Sequence, residues 1–175
     1  MMTRDVLAVK NYLLIPILIG GKEETLSIYE NKKKIYEFEV PVGRCEGGYR
    51  LSYYAVVPIK NYRGKRLTIS GDIPKNFLDA VCLSNDIPAA LEERPNIHFT
   101  PRVGWMNDPN GLVYQQGLYH LFFQHNEFNT KWGNISWGHA VSGDLLHWEQ
   151  QDDVLYPDEE GTIFSGCAIL IVRVI

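Results

Sequence analysis

Cysteine, methionine and long apolar runs are scarce in this chain, and each scarcity removes a class of protein. Its 175 residues hold three cysteines, Cys45, Cys82 and Cys167. An odd number without metal-ligand spacing neither builds a disulfide framework nor holds a zinc, so all three read as small, reduced hydrophobes. The apolar run Leu13 to Ile19 is broken by Pro16 and is too short to cross a bilayer. The N-terminus carries Arg4 and Asp5 where a secretory signal would be apolar. With neither a signal nor a span, a cytoplasmic location and no membrane partner are expected, and the sequon Asn134-Ile135-Ser136 reads as coincidence. A basic excess is also missing. The formal net charge is −4 and the one basic run, Lys32-Lys33-Lys34, follows Asn31 as a solvated hairpin turn would, so no nucleic-acid partner is expected.

The first half lacks tryptophan and histidine entirely: all four Trp and all five His fall after residue 95. Charge divides in the same place, with 14 Lys+Arg against 12 Asp+Glu in residues 1–94 and 3 against 9 in residues 95–175. Such a shift argues for two domains, residues 1–90 and 91–175, joined by a linker at 85–95 that carries Asp86, Pro88, Glu92, Glu93 and Pro95. An acidic, Trp-rich second domain suits a neutral sugar better than a polyanion.

What is present is strand pattern. In the first half, period-2 alternation and turn residues place strands at 12–19, Thr25–Glu30, Lys34–Val42, Tyr49–Val57, Arg66–Ser70 and Leu78–Leu83, with Pro16 favouring an edge or a bulge. No helical period is evident there, and a small antiparallel β-sandwich is the natural solution. Tyr49, Tyr53 and Tyr54 read as ordinary half-buried core before they read as a sugar-stacking surface. In the second half, Leu112–Tyr114, the Gln115-Gln116-Gly117 loop and Leu118–Gln124 form a hairpin, with Tyr119, Leu121 and Phe123 on one face and His120, Phe122 and Gln124 on the other. Strands at Ile135–Ser142 and Thr162–Val174 follow. A meander with recurring aromatics is the cue for a β-propeller.

The stretch on which chemistry can hang is Trp105-Met106-Asn107-Asp108-Pro109-Asn110-Gly111. Asp-Pro-Asn-Gly is close to the preferred filling of a type I turn, and on spacing alone Asp108 reads as its first residue. A solvent turn has no need of Trp105 and Met106 before it or of Asn107 beside the carboxylate. Pro109 should hold Asp108 extended, so that the carboxylate projects from a strand end on a stiff backbone.

These residues resemble the signature of glycoside hydrolase family 32, the invertases, levanases, inulinases and sucrose-6-phosphate hydrolases. Arg94-Pro95-Asn96-Ile97-His98-Phe99-Thr100-Pro101 resembles the family's lead-in, and Leu118 to Asn126 its second strand. Trp132-Gly133, Ser136-Trp137-Gly138-His139-Ala140, Asp144 to Trp148 and Phe164-Ser165-Gly166-Cys167 follow in the family's order. The resemblance covers about residues 92–170. It implies the first one or two blades of a five-bladed β-propeller. The small N-terminal β-sandwich before it resembles, more loosely, the accessory β domain that precedes the catalytic domain in some bacterial levanase-like enzymes, so the whole chain is expected to be all-β. The activity implied is retaining hydrolysis of terminal β-fructosyl linkages in levan, inulin or sucrose-like saccharides, without a cofactor.

By the same resemblance Asp108 is the nucleophile. Asn107 and nearby N–H groups would bond its charged form. Asn110 and Gln124 would supply further amides to sugar hydroxyls, Trp132 an apolar face, and Phe164 with Ser165 a closing wall. Each has an ordinary alternative: Gln124 as the end of a strand, Trp132 and Trp137 as core, and Ser165-Gly166 as a bend. His139 and His147 lack ligand partners at workable spacing, so no metal is expected, and Trp148 reads as structural. The family's Arg-Asp-Pro motif and its Glu-Cys motif, which carries the acid/base, do not occur here. Glu149, Asp152 and Asp153 are the nearest acids but read as exposed and polar. The run from Ala168 to Ile175 departs from the family toward an apolar strand, as a truncated or frame-shifted frame or a fragment would. The chain alone is therefore expected to be inactive, its first half folded and its second loose unless a homo-oligomer covers the open sheet edge. The alternative is a non-catalytic carbohydrate-binding or remnant protein.

Overall fold

The computed structural model describes residues 1–43, 51–89, 94–95, 97–158 and 160–171. Alternation decides the first half. Strands β1 (Met2–Leu7), β6 (Arg66–Gly71), β3 (Lys22–Glu30) and β4 (Lys33–Val42) form one antiparallel sheet in that order. Strands β5 (Tyr53–Pro58), β2 (Tyr12–Ile17) and β7 (Cys82–Ser84) form a second. Leu26, Ile28, Phe38, Val40, Leu67 and Ile69 from the first meet Leu13, Ile15, Ile17, Ala55 and Val57 from the second in one buried core. This is the expected sandwich, and each buried Leu, Ile, Val or Phe contributes about 1.5–3 kcal/mol of transfer free energy. Asn31 and Lys32, at φ 48° and 70°, close the β3–β4 hairpin and confirm the expected turn.

Two expectations for this half fail for local reasons. Leu78–Leu83 is not one strand: helix α1 (Lys75–Ala80) buries Phe77 and Leu78, and only Cys82–Ser84 is extended. Six residues are too few to display a 3.6-residue period, and Pro74 with the Lys75–Asp79 pair starts and supports the turn. Pro16 sits in the central strand of its sheet rather than an edge strand. β7 pairs with β2 only over Tyr12–Leu14, however, so beyond Leu14 β2 has β5 alone as a partner and the missing N–H of Pro16 interrupts no ladder on the β7 side. Tyr53 is buried, while Tyr49 and Cys45 lie outside the described residues. Cys82 and Cys167 are free and exposed.

The second half forms one four-stranded antiparallel meander, β11 (Glu149–Gln150), β10 (Ser136–Ser142), β9 (Leu118–Asn126) and β8 (Trp105–Gln115). That is the make-up of a single propeller blade. Gln116 and Gly117, at φ 53° and 86°, close the β8–β9 hairpin. Leu121, Phe123 and Ala140 pack on one face with Phe99, Met106 and Trp148, as the alternation predicts. The last expected strand is absent among residues 162–171: that segment forms no ladder and is held by single bonds, such as Ile163 N–H to the Ile135 carbonyl.

The halves share apolar contacts. Phe128, from the loop after β9, is 1% exposed within the sandwich core and stacks on Phe38 at 4.0 Å between ring centroids. Tyr156 packs edge-on against Tyr36. Asn134 and Glu39 exchange bonds: the Glu39 N–H donates to Asn134 Oδ1 at 2.7 Å, and Asn134 Nδ2 donates back to the Glu39 carbonyl at 2.8 Å.

Candidate active site

The turn expected at Asp108-Pro109-Asn110-Gly111 is a bulged stretch inside β8. Asn107 pairs with Gln124 of β9 and Pro109 with Phe123, so Asp108 is the extra residue in the ladder. Its φ is +22°, which overturns the expectation that Pro109 keeps it extended. Proline restricts its predecessor only sterically, and here the pairing of Asn107 and Pro109 on either side fixes the bulge. A second irregularity between Asn110 and Val113 is met by Gly111 at φ +55°. A Cβ there would lie 2.9 Å from Phe122 Cδ2 and 3.0 Å from Trp137 Cζ3. Gly111→Ala is therefore expected to cost about 1–3 kcal/mol, read as a fall in the urea midpoint. An unchanged midpoint would show that the two rings give way freely.

Around the bulge five of the seven expected residues come together. The Asp108 carboxylate accepts from Asn107 Nδ2 at 2.9 Å and from Ser165 Oγ at 3.2 Å. Gln124 Nε2 donates to the same Ser165 oxygen at 2.9 Å, leaving the hydroxyl proton free for Asp108. Asn110 is buried beneath the bulge and its Nδ2 donates to the Asp108 carbonyl at 3.2 Å. Its Oδ1 has no partner among the described residues. Of the donors expected at the carboxylate Asn107 is in place, and the Ser165 hydroxyl stands where a further N–H was expected.

Ser165 reaches Asp108 across 57 positions of sequence because its segment is pinned on both sides. Trp137 Nε1 donates to the Phe164 carbonyl at 3.0 Å, and the Gly111 N–H to the Gly166 carbonyl at 3.1 Å. Thr162 Oγ1 accepts from the Ile135 N–H at 3.0 Å. Trp137 is itself buried, which makes it a strut. Trp132 and Phe164 are 62% and 68% exposed, and no hydrogen bond or ring contact joins either side chain to the Asp108 network among the described residues. A cavity of about 730 Å³, within the range of small-molecule sites, opens beside Asn107, Asp108 and Pro109. Its remaining walls include Ile19 and Ser52 of the first half, Arg94 and Arg102 of the connecting stretch, and Thr130.

One functional grouping escaped the sequence. Asp153, expected to be exposed, has a side chain only 3% accessible and bonds fully buried His125, whose Nδ1 lies 2.9 Å and 3.0 Å from its two oxygens. His125 Nε2 lies 3.1 Å from the Val103 carbonyl. Glu127, also buried, accepts from the Val56 N–H of β5 at 3.1 Å. Asp152 bonds Tyr12 and Lys60 instead of solvent alone. The signal was legible: His125 shares the parity of Leu121 and Phe123 on β9, and a histidine on an apolar face needs a partner. His125, Glu127 and Asp153 are the grouping of described residues whose ligand atoms, within 4.8 Å of one another, come close enough to hold a cation. Both nitrogens of His125 are already engaged, and His139 pairs with His120 at 3.0 Å.

Residues 98–174 match the family model described as glycosyl hydrolases family 32 N-terminal domain. A levanase of Bacillus subtilis (strain 168) is 58% identical over 77 residues, 44% of this chain and 11% of that protein. An extracellular exo-inulinase of Aspergillus niger is 53% identical over 85 residues, 46% of this chain and 16% of that protein. The chain thus spans a small fraction of the length of either. Among solved structures, a family 32 glycoside hydrolase from Bifidobacterium adolescentis is 25% identical, covers 91% of this chain and 28% of its own, and has a TM-score of 0.41.

Proposed function

We propose that this chain, which belongs through residues 98–174 to the glycosyl hydrolase family 32 N-terminal domain, carries the nucleophile and part of the fructosyl subsite of a retaining β-fructosidase. Its substrates are terminal β-fructosyl linkages of levan, inulin or sucrose-like saccharides. The observation that carries the proposal is the Asn107–Asp108–Ser165–Gln124 network at the mouth of a cavity. A carboxylate held by neutral donors and by no cation among the described residues keeps its charge available for attack. The bulge aims it and the donors fix its rotamer. Asn107 and Gln124 retain amide capacity for ring hydroxyls, while the exposed faces of Trp132 and Phe164 supply apolar surface for a furanose.

The partner acid of a two-carboxyl mechanism is a different matter. Asp153 is committed to His125, and Asp152 to Tyr12 and Lys60. Neither shares a hydrogen bond with the Asp108 network among the described residues. In the proposed reaction the chain alone attacks but does not protonate a departing sugar oxygen, so levan, inulin and sucrose are not turned over. General acid catalysis is typically worth ~10²–10⁴-fold.

The test exploits a leaving group that needs no proton. With β-D-fructofuranosyl fluoride, an Asp108 oxygen forms a bond to the anomeric carbon while the C–F bond breaks and fluoride departs with its electron pair. The purified chain should gain the mass of one fructosyl unit on the peptide containing Asp108, and should release no reducing sugar from the three natural saccharides. Labelling elsewhere, or none, sinks the nucleophile assignment and favours a non-catalytic saccharide-binding protein.

A further inference from the structure

His125 pairs with Met106 one rung along the sheet from Asn107 and Gln124. Its two nitrogens reach the lead-in to β8 at Val103 and the segment after β11 at Asp153. One side chain thus braces three separate stretches of the sheet beside the rung that supplies both amides of the Asp108 network. A carbonyl only accepts, so Nε2 carries a proton, and an ionised carboxylate only accepts, so Nδ1 carries one as well. We propose that His125 is a positioning residue for Asp108, a buried imidazolium that holds the Asn107/Gln124 rung in register and, through its neighbour Glu127, seats that rung on the β5 edge of the sandwich. This rests on the reading of Asp108 as the nucleophile, because the rung has a catalytic role only if Asp108 does.

The surroundings suit a cation. The charged and titratable groups around it are Asp153, Glu127 and Arg102, with Tyr53, Tyr156 and His139 further out. Burial disfavours the imidazolium, but the charge and hydrogen bond of Asp153, the charge of Glu127 and the Val103 carbonyl outweigh it and raise His125 to about 9. Burial, then the charge of Asp153, pushes Glu127 up, against the opposing pull of His125, Arg102 and the Val56 N–H. The linkage runs one way for both groups. The raised histidine contributes stability that is complete below its unfolded value near 6.5 and is lost as pH rises through about 9. The raised glutamic acid favours its neutral form, so its contribution too is complete at low pH, but it is lost as pH rises from near 4.5 through about 7, which leaves His125 to set the alkaline side. A chain held this way should lose thermal stability in mildly alkaline buffer.

Long-range ¹H–¹⁵N correlation of the ¹⁵N-labelled full chain tests the proposal. At pH 7.5 both His125 nitrogens should show imidazolium shifts, and the amide signals of Asn107, Gln124 and Ser165 should follow its titration toward pH 9. The rate of Asp108 labelling by fructosyl fluoride should fall about tenfold across the same titration. Asp153→Asn should lower the His125 midpoint by at least about one pH unit. If that variant does not fold, Glu127→Gln, which removes a charge but keeps the shape, should lower it by less. A single neutral tautomer at pH 7.5 would overturn the proposal, as would stabilisation by Zn²⁺, which must displace the Nδ1 proton. Silence of Asn107 and Gln124 during the titration would remove the positioning role while leaving the nucleophile intact. Labelling that fails at every pH despite a correct titration would strike the nucleophile reading alone.

Discussion

Asp108→Asn is expected to reduce fructosyl-fluoride labelling by at least ~10³-fold while leaving the melting temperature almost unchanged. The amide has nearly the same shape, and its one oxygen can keep the bond from Asn107 while its NH2 donates to the Ser165 oxygen, but it has no anionic lone pair to form an ester with the anomeric carbon. Stability should barely move because Asp108 is exposed and its side chain takes part in no salt bridge among the described residues. Surface changes away from core, cap and strain effects lie within about 0.5 kcal/mol. The φ of +22° does not alter this, because Asn tolerates positive φ as readily as Asp. The contrast between a large chemical effect and a small stability effect separates a nucleophile from a turn-former. A turn-former would leave labelling, if any, where it was, since Asn fills such a turn as well as Asp. Mass spectrometry of the labelled peptide and a melting curve on the same preparation decide the matter. Persistence of labelling in the variant would assign the attack to another residue.

How much of this was visible beforehand depends on the range over which each feature is determined. The sandwich was legible because Leu26, Ile28, Phe38, Val40, Leu67 and Ile69 lie on the faces that a period of two assigns. The β8–β9 hairpin was legible from Gln116-Gly117. Helix α1 was hidden by its length, and the bulge at Asp108 by its cause. A bulge is a property of two strands and their register, whereas the Asp-Pro-Asn-Gly sequence on its own matches a turn. Resemblance picked out Ser165 and Gln124, but their convergence on one carboxylate is set by the pinning of residues 162–166 on Ile135, Trp137 and Gly111. Asp153 was misread for a similar reason. The polarity of Gln151-Asp152-Asp153 looks like solvent-facing chain until His125, 28 positions earlier, is placed opposite. Local pattern therefore located the elements and the apolar face that carries His125, and long-range contacts revealed which carboxylate is buried with it.

Those long-range contacts bear on the proposed division at residues 90 and 91. A linker between independent domains predicts that the first half unfolds by itself. The packing predicts otherwise, because Phe128 sits at 1% exposure inside the core of the first half and stacks on Phe38, and Val103 and Tyr156 lean on the same cluster. Phe128→Ala is expected to cost about 3–5 kcal/mol, the usual penalty for deleting a fully buried aromatic ring whose surroundings collapse only in part. Against a typical total of about 5–15 kcal/mol, that loss is large enough to leave a sizeable unfolded population. Phe128→Leu, which fills part of the space, gives a milder step in the same direction. The reporters are separable, since all four tryptophans lie in the second half. Tryptophan emission therefore follows the meander, and amide exchange at Leu26 and Ile69 follows the sandwich. In both variants the two reporters should move together to lower urea, because the ring removed from one half leaves a cavity in the other. Were tryptophan emission to shift alone, with the protection of Leu26 and Ile69 untouched, Phe128 would be an ornament on a sandwich that folds without it, and the two halves would be independent domains.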